Sequence, residues 1–595
     1  MALLSQFREA LGGKTPKESS PTASAAADEK KETAVDEAVP VTGLDGSQSD
    51  QAQEDLQHGV KKVEAITQAW SKWSLIAVFL NIWLLYFVYA FQYAILTSLV
   101  PFVTSEFDSH SLLNIIYIVA NAMTAAVFIP LAKILDVWGR AEGYAIMVGF
   151  STLGLILMAA CKDLPTFCAA HVFYQLGFRG MIFSVDVITA DASKLKNRGL
   201  AYAFTASPYI ITAFAGPKAG EDAYNYLSWR WGFGAFAIIV PVVALPLYFV
   251  LKFNAKKAQN LGILEGAKSD RTIFQSIWYY TVEFDALGVF LFSAGFTIFL
   301  LPFTLAASAP NGWSTGYIIA MIVVGLVLLI VFVVYELKFA PVPMLNFALI
   351  SDRTVIGTCL LGAVYQVSYY CWFYYFSSFL QVVNNVTIAQ AGYINNTFSV
   401  VSGVLIFAVG FLIRGTGRFK WLLYVGLPLY VLALGLMIYF RRPDQSVGFL
   451  IMCEVFISIG GAIFIIIQQV AVQAAVDHQH VAAVLSLLFV VGQIGGAIGA
   501  TVSGTIWTNT FYHALSMYLP ESAQADIDAI YGDLTTQLGY EWGTPERYGI
   551  QLAYGYAQTR MLAAGTAVMV LAFGCVLLIR NIDVKKIAQV KGTVF

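Results

Sequence analysis

Long apolar runs separated by short polar segments dominate the chain from Ser74 onward. A helix needs about 20 mostly apolar residues to cross the hydrocarbon core of a bilayer. Fourteen runs approach or exceed that length, and we predict a membrane-spanning helix in each. They cover residues 74–102, 111–134, 142–161, 165–189, 200–219, 232–252, 286–306, 316–336, 354–381, 390–412, 420–440, 448–474, 483–508 and 561–579. The pattern predicts an all-α polytopic membrane protein.

The polar segments outside these runs define the rest of the organisation. Residues 1–72 bury too little apolar area to offset their ordering entropy, so we predict a disordered cytoplasmic tail. Residues 509–560 are too polar to span and are predicted to form a long extracellular loop, with 581–595 as a second cytoplasmic tail. Asn385 lies in an Asn-X-Thr sequence of a predicted outside loop and is a glycosylation candidate.

Charge sets the expected orientation. If both termini are cytoplasmic, the inside segments hold more Lys and Arg than the outside segments, as the positive-inside rule requires. Only 12% of the residues are charged, against about 25% in soluble domains. The formal net charge of -2 leaves no basic excess for binding nucleic acid. We therefore expect a multi-pass protein whose solvent is the lipid bilayer.

Two features recur at an interval of eight predicted helices. The basic loop after the second run (136–140) has a counterpart after the tenth (414–418), and Gly-rich sequence in the fifth run has a counterpart in the thirteenth. Repeated halves around a midplane site are a common transporter plan. We predict a six-helix bundle at 73–253, a cytoplasmic loop with two linker helices at 254–353, and a second bundle at 354–580.

Several motifs resemble a known family. The segment from Ala132 to Arg140 resembles the loop motif of the major facilitator superfamily, and Gly216-Pro217 with Gly220 resembles the fifth-helix motif of its proton-driven exporters. The stretches 191–201 and 228–232 are similar to the fungal siderophore-iron transporters, which are fourteen-helix members of that superfamily.

The resemblance implies a major facilitator fold and a carrier of the plasma membrane. It also implies import of ferric siderophores, of which triacetylfusarinine-type hydroxamates are one candidate class, coupled to proton entry. Iron would arrive already chelated, so we expect no resident cofactor and no protein metal site. Ferric siderophore and protons are then the expected ligands.

Ionisable residues inside predicted spans are candidates for proton coupling, because such groups are costly in a membrane. They are His171, Arg179 and Asp186 in the fourth run and Glu454 in the twelfth. Spacing places the three fourth-run residues along one helical face. Glu454 is expected to pair with Arg179 across the two halves or to transfer the proton. The alternatives are a structural role for Arg179 and Asp186, and solvated positions near the outside for His171 and Glu454.

Polar and aromatic side chains on helices facing the expected cavity suit a bulky ligand with amide and carbonyl groups. Packing between helices is the alternative for any single aromatic residue. The candidates for substrate binding are Asn81, Tyr89, Gln92, Gln175, Gln366, Tyr369, Tyr370, Phe373 and Gln468.

We expect charged residues at the predicted cytoplasmic helix ends to act in gating and not in substrate binding. The family resemblance implies that Asp136, Gly139 and Arg140 tie neighbouring helix ends together in the outward-open state. Asp191 and Arg198 are expected to play a similar structural part after the fourth helix.

Three other functions were weighed against import. A multidrug or proton antiporter shares the fold and the fifth-helix motif. Two features disfavour it: His171 and Gln175 stand where the family's fourth-helix motif has Arg and Gly, and the outside segment is rich in Tyr. An enzyme has little support, because the HExxH, GxSxG and Walker patterns are absent. A nutrient sensor would usually carry a long folded cytoplasmic extension, whereas the tails predicted here are short or disordered.

Cys161 and Cys168 flank one short loop and could form a disulfide if that loop is extracellular, although spacing alone does not fix a disulfide.

Overall fold

The computed structural model describes residues 70–106, 113–261, 272–306, 309–342, 351–477 and 480–587. Within these ranges the regular secondary structure is helical throughout, which confirms the predicted all-α class. The predicted disordered tail at 1–72 lies almost wholly outside the described residues, as does the C-terminal end from residue 588.

The helices follow one another with short connections. The first group is α1 (Lys72–Glu106), α2 (Leu113–Val137), α3 (Arg140–Ala160), α4 (Leu164–Asp191), α5 (Leu195–Ala206), α6 (Pro208–Asp222) and α7 (Trp229–Asn260). Next come α8 (Ile273–Glu283), α9 (Ala286–Leu305) and α10 (Gly316–Lys338). The last group is α11 (Arg353–Phe373), α12 (Phe376–Asn384), α13 (Ile388–Asn395), α14 (Thr397–Thr416), α15 (Lys420–Phe440), α16 (Val447–Ala474), α17 (Val481–Tyr518), α18 (Ile527–Gly532), α19 (Leu534–Gly539), α20 (Pro545–Met569) and α21 (Leu571–Leu578).

Among the described residues, eleven helical segments are long and apolar enough to cross a membrane. The predicted spans at 165–189, 200–219 and 354–381 are helical but are not among the eleven. The first is α4, which carries the ionisable candidates, and the other two are each broken into a pair of helices. Polar faces and backbone breaks are tolerated at membrane depth only where they line a cavity or pack in protein.

Four helices predicted to be continuous are interrupted in the structure. The run 200–219 is divided at Ser207, 354–381 at Tyr374 and Tyr375, 390–412 at Asn396, and 561–579 at Val570. Tyr375 has a φ of 56°, a left-handed conformation that is uncommon for a bulky residue. Hydropathy detects apolar length but not such backbone breaks, so the prediction of unbroken helices was wrong.

The predicted extracellular loop at 509–560 is also largely helical. Helix α17 continues to Tyr518 and α20 already begins at Pro545, so the connection between them shrinks to residues 519–544. The two helix extensions persist because they pack on each other: Tyr554 of α20 contacts the rings of Trp507 and Phe511 of α17 at 5.1 and 4.9 Å.

A buried arginine fixes the short connection to the rest of the protein. Arg547 is 1% exposed. Its guanidinium donates to the carbonyl oxygens of Val382 at 3.1 Å and Gln381 at 3.2 Å, and to that of Gln537. On the other side, the backbone N–H of Leu534 donates to the hydroxyl of Ser105 at 3.1 Å. The connection therefore contacts both the end of α1 and the end of α12.

Helix contacts recur at the interval noted in the sequence. Helix α1 packs on α6 and α7, and α3 packs on α4 and α7. In the later part of the chain, α11 packs on α17 and α20, and α15 packs on α16 and α20. Two seams join the parts: α2 against α17, and α5 with α6 against α14. Helix α9 packs on both α2 and α17, and the Thr505 hydroxyl donates to the carbonyl of Phe303 at 2.9 Å.

Glycines allow the closest helix crossings. A methyl group at Gly216 of α6 would overlap Ala94 of α1, and one at Gly495 of α17 would overlap Ala363 of α11. A methyl group at Gly154 of α3 would overlap the backbone of Tyr174 in α4. Small residues at such crossings let helix backbones approach in a membrane, where burial from water supplies no driving force.

We predict that Gly154→Ala lowers the stability of the protein. The added methyl group has no space against the α4 backbone, and overpacking of this kind costs about 1–3 kcal/mol. The measurement is the thermal unfolding midpoint of detergent-purified protein. Gly149→Ala is the matched control, because a Cβ at Gly149 of the same helix meets nothing within 4 Å. Equal midpoints for the two variants would contradict the close crossing.

Candidate functional site

A three-residue ion cluster joins the ends of α2, α3 and α4. Arg140 pairs with Asp136 at 2.5 Å and with Asp191 at 3.0 Å, and it also donates to the Leu135 carbonyl at 2.8 Å. Gly139, with a φ of 117°, lets the chain turn sharply between Asp136 and Arg140. The structure thus brings together four of the five residues predicted to gate. All four belong to the same part of the chain.

The fifth predicted gating residue, Arg198, joins the two parts. It lies inside α5, fully buried, and not in the loop where the sequence placed it. Its guanidinium donates to the side-chain oxygen of Gln473 in α16 at 2.8 Å and to the carbonyls of Ala190 and Ser193. Gln473 in turn donates to the Tyr202 hydroxyl at 3.0 Å. The positive-inside rule counts Lys and Arg as loop residues. That assumption fails for Arg198, because its charge is hydrogen-bonded inside the protein.

Asp186 of α4 makes a second link to α16. It is 3% exposed. The Tyr86 hydroxyl of α1 donates to one carboxylate oxygen at 3.0 Å, and the Gln469 side chain of α16 donates to the other at 3.2 Å. Asp186 therefore takes its partners from other helices and makes no pair with Arg179. Because Gln469 and Gln473 are one turn apart, one face of α16 holds both Asp186 and Arg198.

Arg179 lies seven residues, about two turns, along α4 from Asp186 in a ring of tyrosines. It interacts electrostatically with Tyr370, Tyr93, Tyr209 and Tyr174, which come from α11, α1, α6 and α4. Within the part of the chain that the structure describes, its Nε is buried without a hydrogen-bond partner. A buried guanidinium whose Nε has no partner in the described structure is suited to receive a ligand oxygen.

An aromatic row on α11 extends this ring. Tyr369 stacks on Phe373 at 5.0 Å, and Tyr370 stacks on Tyr374 at 4.8 Å. Tyr374 also stacks on Tyr117 of α2 at 4.6 Å, so the row contacts both parts of the chain. The row ends at the break between α11 and α12, so movement at that break would displace it.

His171 sits in this aromatic region and is fully buried, which overturns the solvated alternative. Its ring lies edge-on to Tyr117 at 5.7 Å and 6.1 Å from Phe167. Its Nε2 is 3.2 Å from the side-chain nitrogen of Gln175, and its Nδ1 has no partner among the described residues. The neighbouring candidate Gln92 accepts a hydrogen bond from the Tyr174 hydroxyl.

Glu454 is fully buried near the opposite end of α16, so its placement at the outside surface is also wrong. In the described structure neither carboxylate oxygen has a hydrogen-bond donor. The charged group that interacts with it is Arg441, and not Arg179 as expected. Arg441 is itself fully buried, stacks over Phe376 at 4.3 Å, and donates to the Trp372 carbonyl at 2.6 Å.

The remaining candidates have more local surroundings. Asn81 donates to the Ala77 carbonyl of its own helix at 2.7 Å, and the Tyr89 hydroxyl lies 3.5 Å from that of Ser151 in α3. Gln366 and Gln468 are partly buried, and the Gln468 side-chain nitrogen has no partner within the described ranges. Asn385 is exposed at the end of α12 with a φ of 52°.

The described cysteines, including Cys161 and Cys168, are all free thiols. Groups of three or more His, Cys, Asp or Glu arranged to hold a metal do not occur in the part of the chain the structure covers.

Sequence reasoning missed several residues of this site. Gln469 and Gln473 are polar residues in a strongly apolar run, which was a usable signal. No sequence signal singled out Tyr86, Tyr93 and Tyr209, because tyrosines are frequent throughout the chain. The arrangement as a whole contains two ionisable residues, Asp186 and Arg198, that bond across the seam. It also contains Arg179, whose Nε has no partner in the described structure, in a ring of tyrosines. Such a site can bind an oxygen-rich ligand and change its seam contacts when a proton binds.

Comparison with known proteins places this geometry in context. Residues 82–381 match the family described as the Major Facilitator Superfamily. The siderophore iron transporter MirB of Emericella nidulans is 56% identical over 93% of this chain and 92% of its own length. The MFS siderochrome iron transporter 1 of Gibberella zeae is 54% identical over 92% and 90%.

Among solved structures, a bacterial homologue of the human lysosomal transporter Spinster, inward-facing and unoccupied, aligns with a TM-score of 0.51. It shares 15% identity and covers 85% of this chain and 98% of its own. The peptide transporter POT with sulfate aligns with a TM-score of 0.51 at 15% identity, covering 89% and 99%. At such identity these likenesses show the fold alone.

We predict that Gln473→Leu loosens the seam between α5 and α16. The substitution removes the acceptor that Arg198 finds across the seam, and a buried hydrogen bond to a charged group contributes about 1.5–3 kcal/mol. Hydrogen–deuterium exchange followed by mass spectrometry should show faster exchange in α5 and in the adjoining end of α16. Gln558→Leu is the control, since the Gln558 amide is buried without partners among the described residues. Unchanged exchange in α5 would show that this bond does not hold the seam.

Proposed function

Because the chain belongs to the fungal siderochrome iron transporters of the major facilitator superfamily, we propose that it imports ferric siderophores coupled to proton entry. The relatives are named transporters and not enzymes, so the enzyme alternative is set aside. The cargo is iron already held in a chelate, so the protein itself needs no metal ligands. A triacetylfusarinine-type hydroxamate is our candidate for the ligand.

The architecture we propose has fourteen membrane-spanning segments. Eleven are the apolar spans, and α4, α5 with α6, and α11 with α12 supply the other three. Residues 73–253 and 354–580 would form the two bundles, with α9 and α10 as the linker pair inside 254–353. The recurring helix contacts support this division.

We place the protein in the plasma membrane with both termini in the cytoplasm. The backbone N–H of Val584 donates to the Gly417 carbonyl at 2.9 Å, and Lys585 donates to the Gly415 carbonyl at 2.6 Å. The C-terminal segment therefore lies on the same side as the basic loop after α14. The excess of Lys and Arg in such loops supports the cytoplasmic assignment.

The single observation that carries the mechanism is Asp186, an ionisable group held from both bundles. As a carboxylate it accepts hydrogen bonds from Tyr86 and Gln469. A proton on the oxygen facing Gln469 would leave two donors facing each other, which weakens that contact. Proton binding at Asp186 thereby favours separation of α4 from α16, the motion that opens the cytoplasmic side.

Arg179 is our principal candidate for ligand binding. Hydroxamate and carbonyl oxygens of a ferric siderophore carry negative charge density that an unpaired guanidinium attracts. The surrounding tyrosines offer flat apolar faces and hydroxyls, which fits a bulky ligand with mixed polarity. The aromatic row of Tyr369, Tyr370 and Phe373 would form one wall of the cavity.

The decisive experiment is uptake of a panel of radio-iron siderophores by yeast that lacks its own carriers and expresses this chain. Accumulation that a protonophore abolishes supports proton-coupled import. Failure of every ferric chelate to accumulate would refute it, and depletion of a preloaded compound would instead favour the alternative, a proton-coupled multidrug exporter of the same superfamily.

We predict that Asp186→Asn abolishes concentrative uptake while the protein still reaches the cell surface. The amide cannot take up and release a proton, so the gradient no longer drives transport. The measurement is accumulation at acidic external pH, with exchange of ligand across the membrane as a second readout. Asp222→Asn is the control, because the Asp222 side chain is 46% exposed and, among the described residues, pairs with Lys218 of the same helix. Full accumulation by Asp186→Asn would remove this residue from the coupling role.

We predict that Arg179→Gln weakens ligand binding roughly 10- to 150-fold, the equivalent of about 1.5–3 kcal/mol for a hydrogen bond to a charged group. Equilibrium binding of the ferric siderophore to purified protein measures the effect. Arg442→Gln, at an exposed position outside the tyrosine ring, should bind like the unaltered protein. Equal affinities for both variants would exclude Arg179 as a ligand contact.

A further inference from the structure

Helix α8 has an apolar face that no described part of the protein covers. It is 11 residues long, too short to cross a bilayer. Phe274 is 86% exposed, Ile277 58% and Trp278 71%. Their spacing of three and four residues places the side chains on one stripe of the helix. Such a stripe is typical of a helix that lies in a membrane surface.

The opposite face of α8 contacts the segment between α2 and α3. Trp138 lies edge-on to Tyr280 at 5.0 Å and to Phe284 at 5.6 Å. Lys133 of α2 donates to the Glu283 carbonyl at 2.9 Å. In the sequence, Lys133 precedes Asp136, and Trp138 follows it, directly before Gly139 and Arg140. The end of α8 therefore contacts the segment that carries Asp136 and Arg140.

A rigid corner connects α8 to the membrane-spanning helix α9. Asp285 has a φ of 48°, and its carboxylate accepts from the Gly288 backbone at 3.2 Å and from the Tyr335 hydroxyl at 3.0 Å. Directly after this corner, Leu287 is 52% exposed and Phe290 64%. The exposed apolar surface of α8 is thus continuous with the lipid-facing surface of α9.

We propose that α8 lies in the headgroup–acyl boundary of the cytoplasmic leaflet, with Phe274, Ile277 and Trp278 inserted into lipid, and that it anchors the Arg140 cluster to the bilayer surface. Its occupant is the lipid interface itself. The inserted face carries no charged residue, so insertion depends on apolar contact and not on anionic lipid. The anchoring role rests on the proposed function, whereas the insertion does not.

The insertion is tested with a fluorescent amino acid placed by codon reassignment at position 277 of the full chain in nanodiscs. Lipids with a nitroxide at a shallow acyl position should quench it equally in zwitterionic and anionic bilayers. A label at Gln259, exposed at the end of α7, is the control and should not be quenched. Absence of quenching at 277, or quenching only with anionic lipid, would overturn the proposal.

The anchoring is tested with the double variant Phe274→Ser and Trp278→Ser. Loss of the anchor should lower the transport rate by roughly 2- to 30-fold, the range for substitutions that act on coupling between sites. Ligand affinity and surface expression should stay unchanged. Leu326→Ser with Val327→Ser, exposed at 47% and 50% on α10, is the matched control and should transport normally.

A Trp138→Ala variant separates anchoring from a local effect of the serines. If α8 acts through the Trp138 contact, Trp138→Ala lowers the rate similarly and adds little to the double variant. Additive losses, or normal transport by the double variant, would overturn the anchoring role. If the unaltered chain carries no ferric siderophore at all, the proposed function fails, and the quenching result still decides the insertion.

Discussion

The structure depends on one constraint: a polar group placed at membrane depth must find its partner within the protein, because lipid supplies none. Asp186 and Arg198 meet this constraint by bonding to Gln469 and Gln473 of α16. Each of these bonds crosses the seam between the two parts of the chain. The seam is therefore held by these bonds, and the proposed transport motion would require water to replace them as the seam opens.

The buried charged groups of the protein meet this constraint to different degrees. Arg140 and Arg547 are surrounded by acceptors and fix the chain in place. The Nε of Arg179 and both carboxylate oxygens of Glu454 are buried without hydrogen-bond partners in the described structure. Leaving such groups unpaired is destabilising. A protein retains them where a ligand, a proton or an alternative conformation completes the pairing.

Much of the fold was readable from the sequence, because apolar length and helix spacing are properties of the chain alone. The polar face of α4 was found this way, whereas the contact between Asp136 and Arg140 was expected from the family resemblance and the pairing of Arg140 with Asp191 was not predicted. The break at Tyr375 was missed, since its left-handed backbone is imposed by packing around α11 and α12. Arg198 was expected in a loop and lies inside α5, because burial of a charge depends on tertiary partners. Helix α8 was taken for a loop, since a short amphipathic helix has a modest average hydropathy.

The position of α9 gives the two seams different surroundings. Helix α9 packs on both α2 and α17 and so bridges one seam, whereas α5 and α6 meet α14 directly at the other. The proposed import requires the two parts of the chain to move against each other, and such a motion would have to displace α9 and α10 at the seam that α9 bridges. The two seams would therefore resist separation unequally. In that motion, a bulky solute or a lipid tail would find its sideways escape route on the side away from α9 and α10.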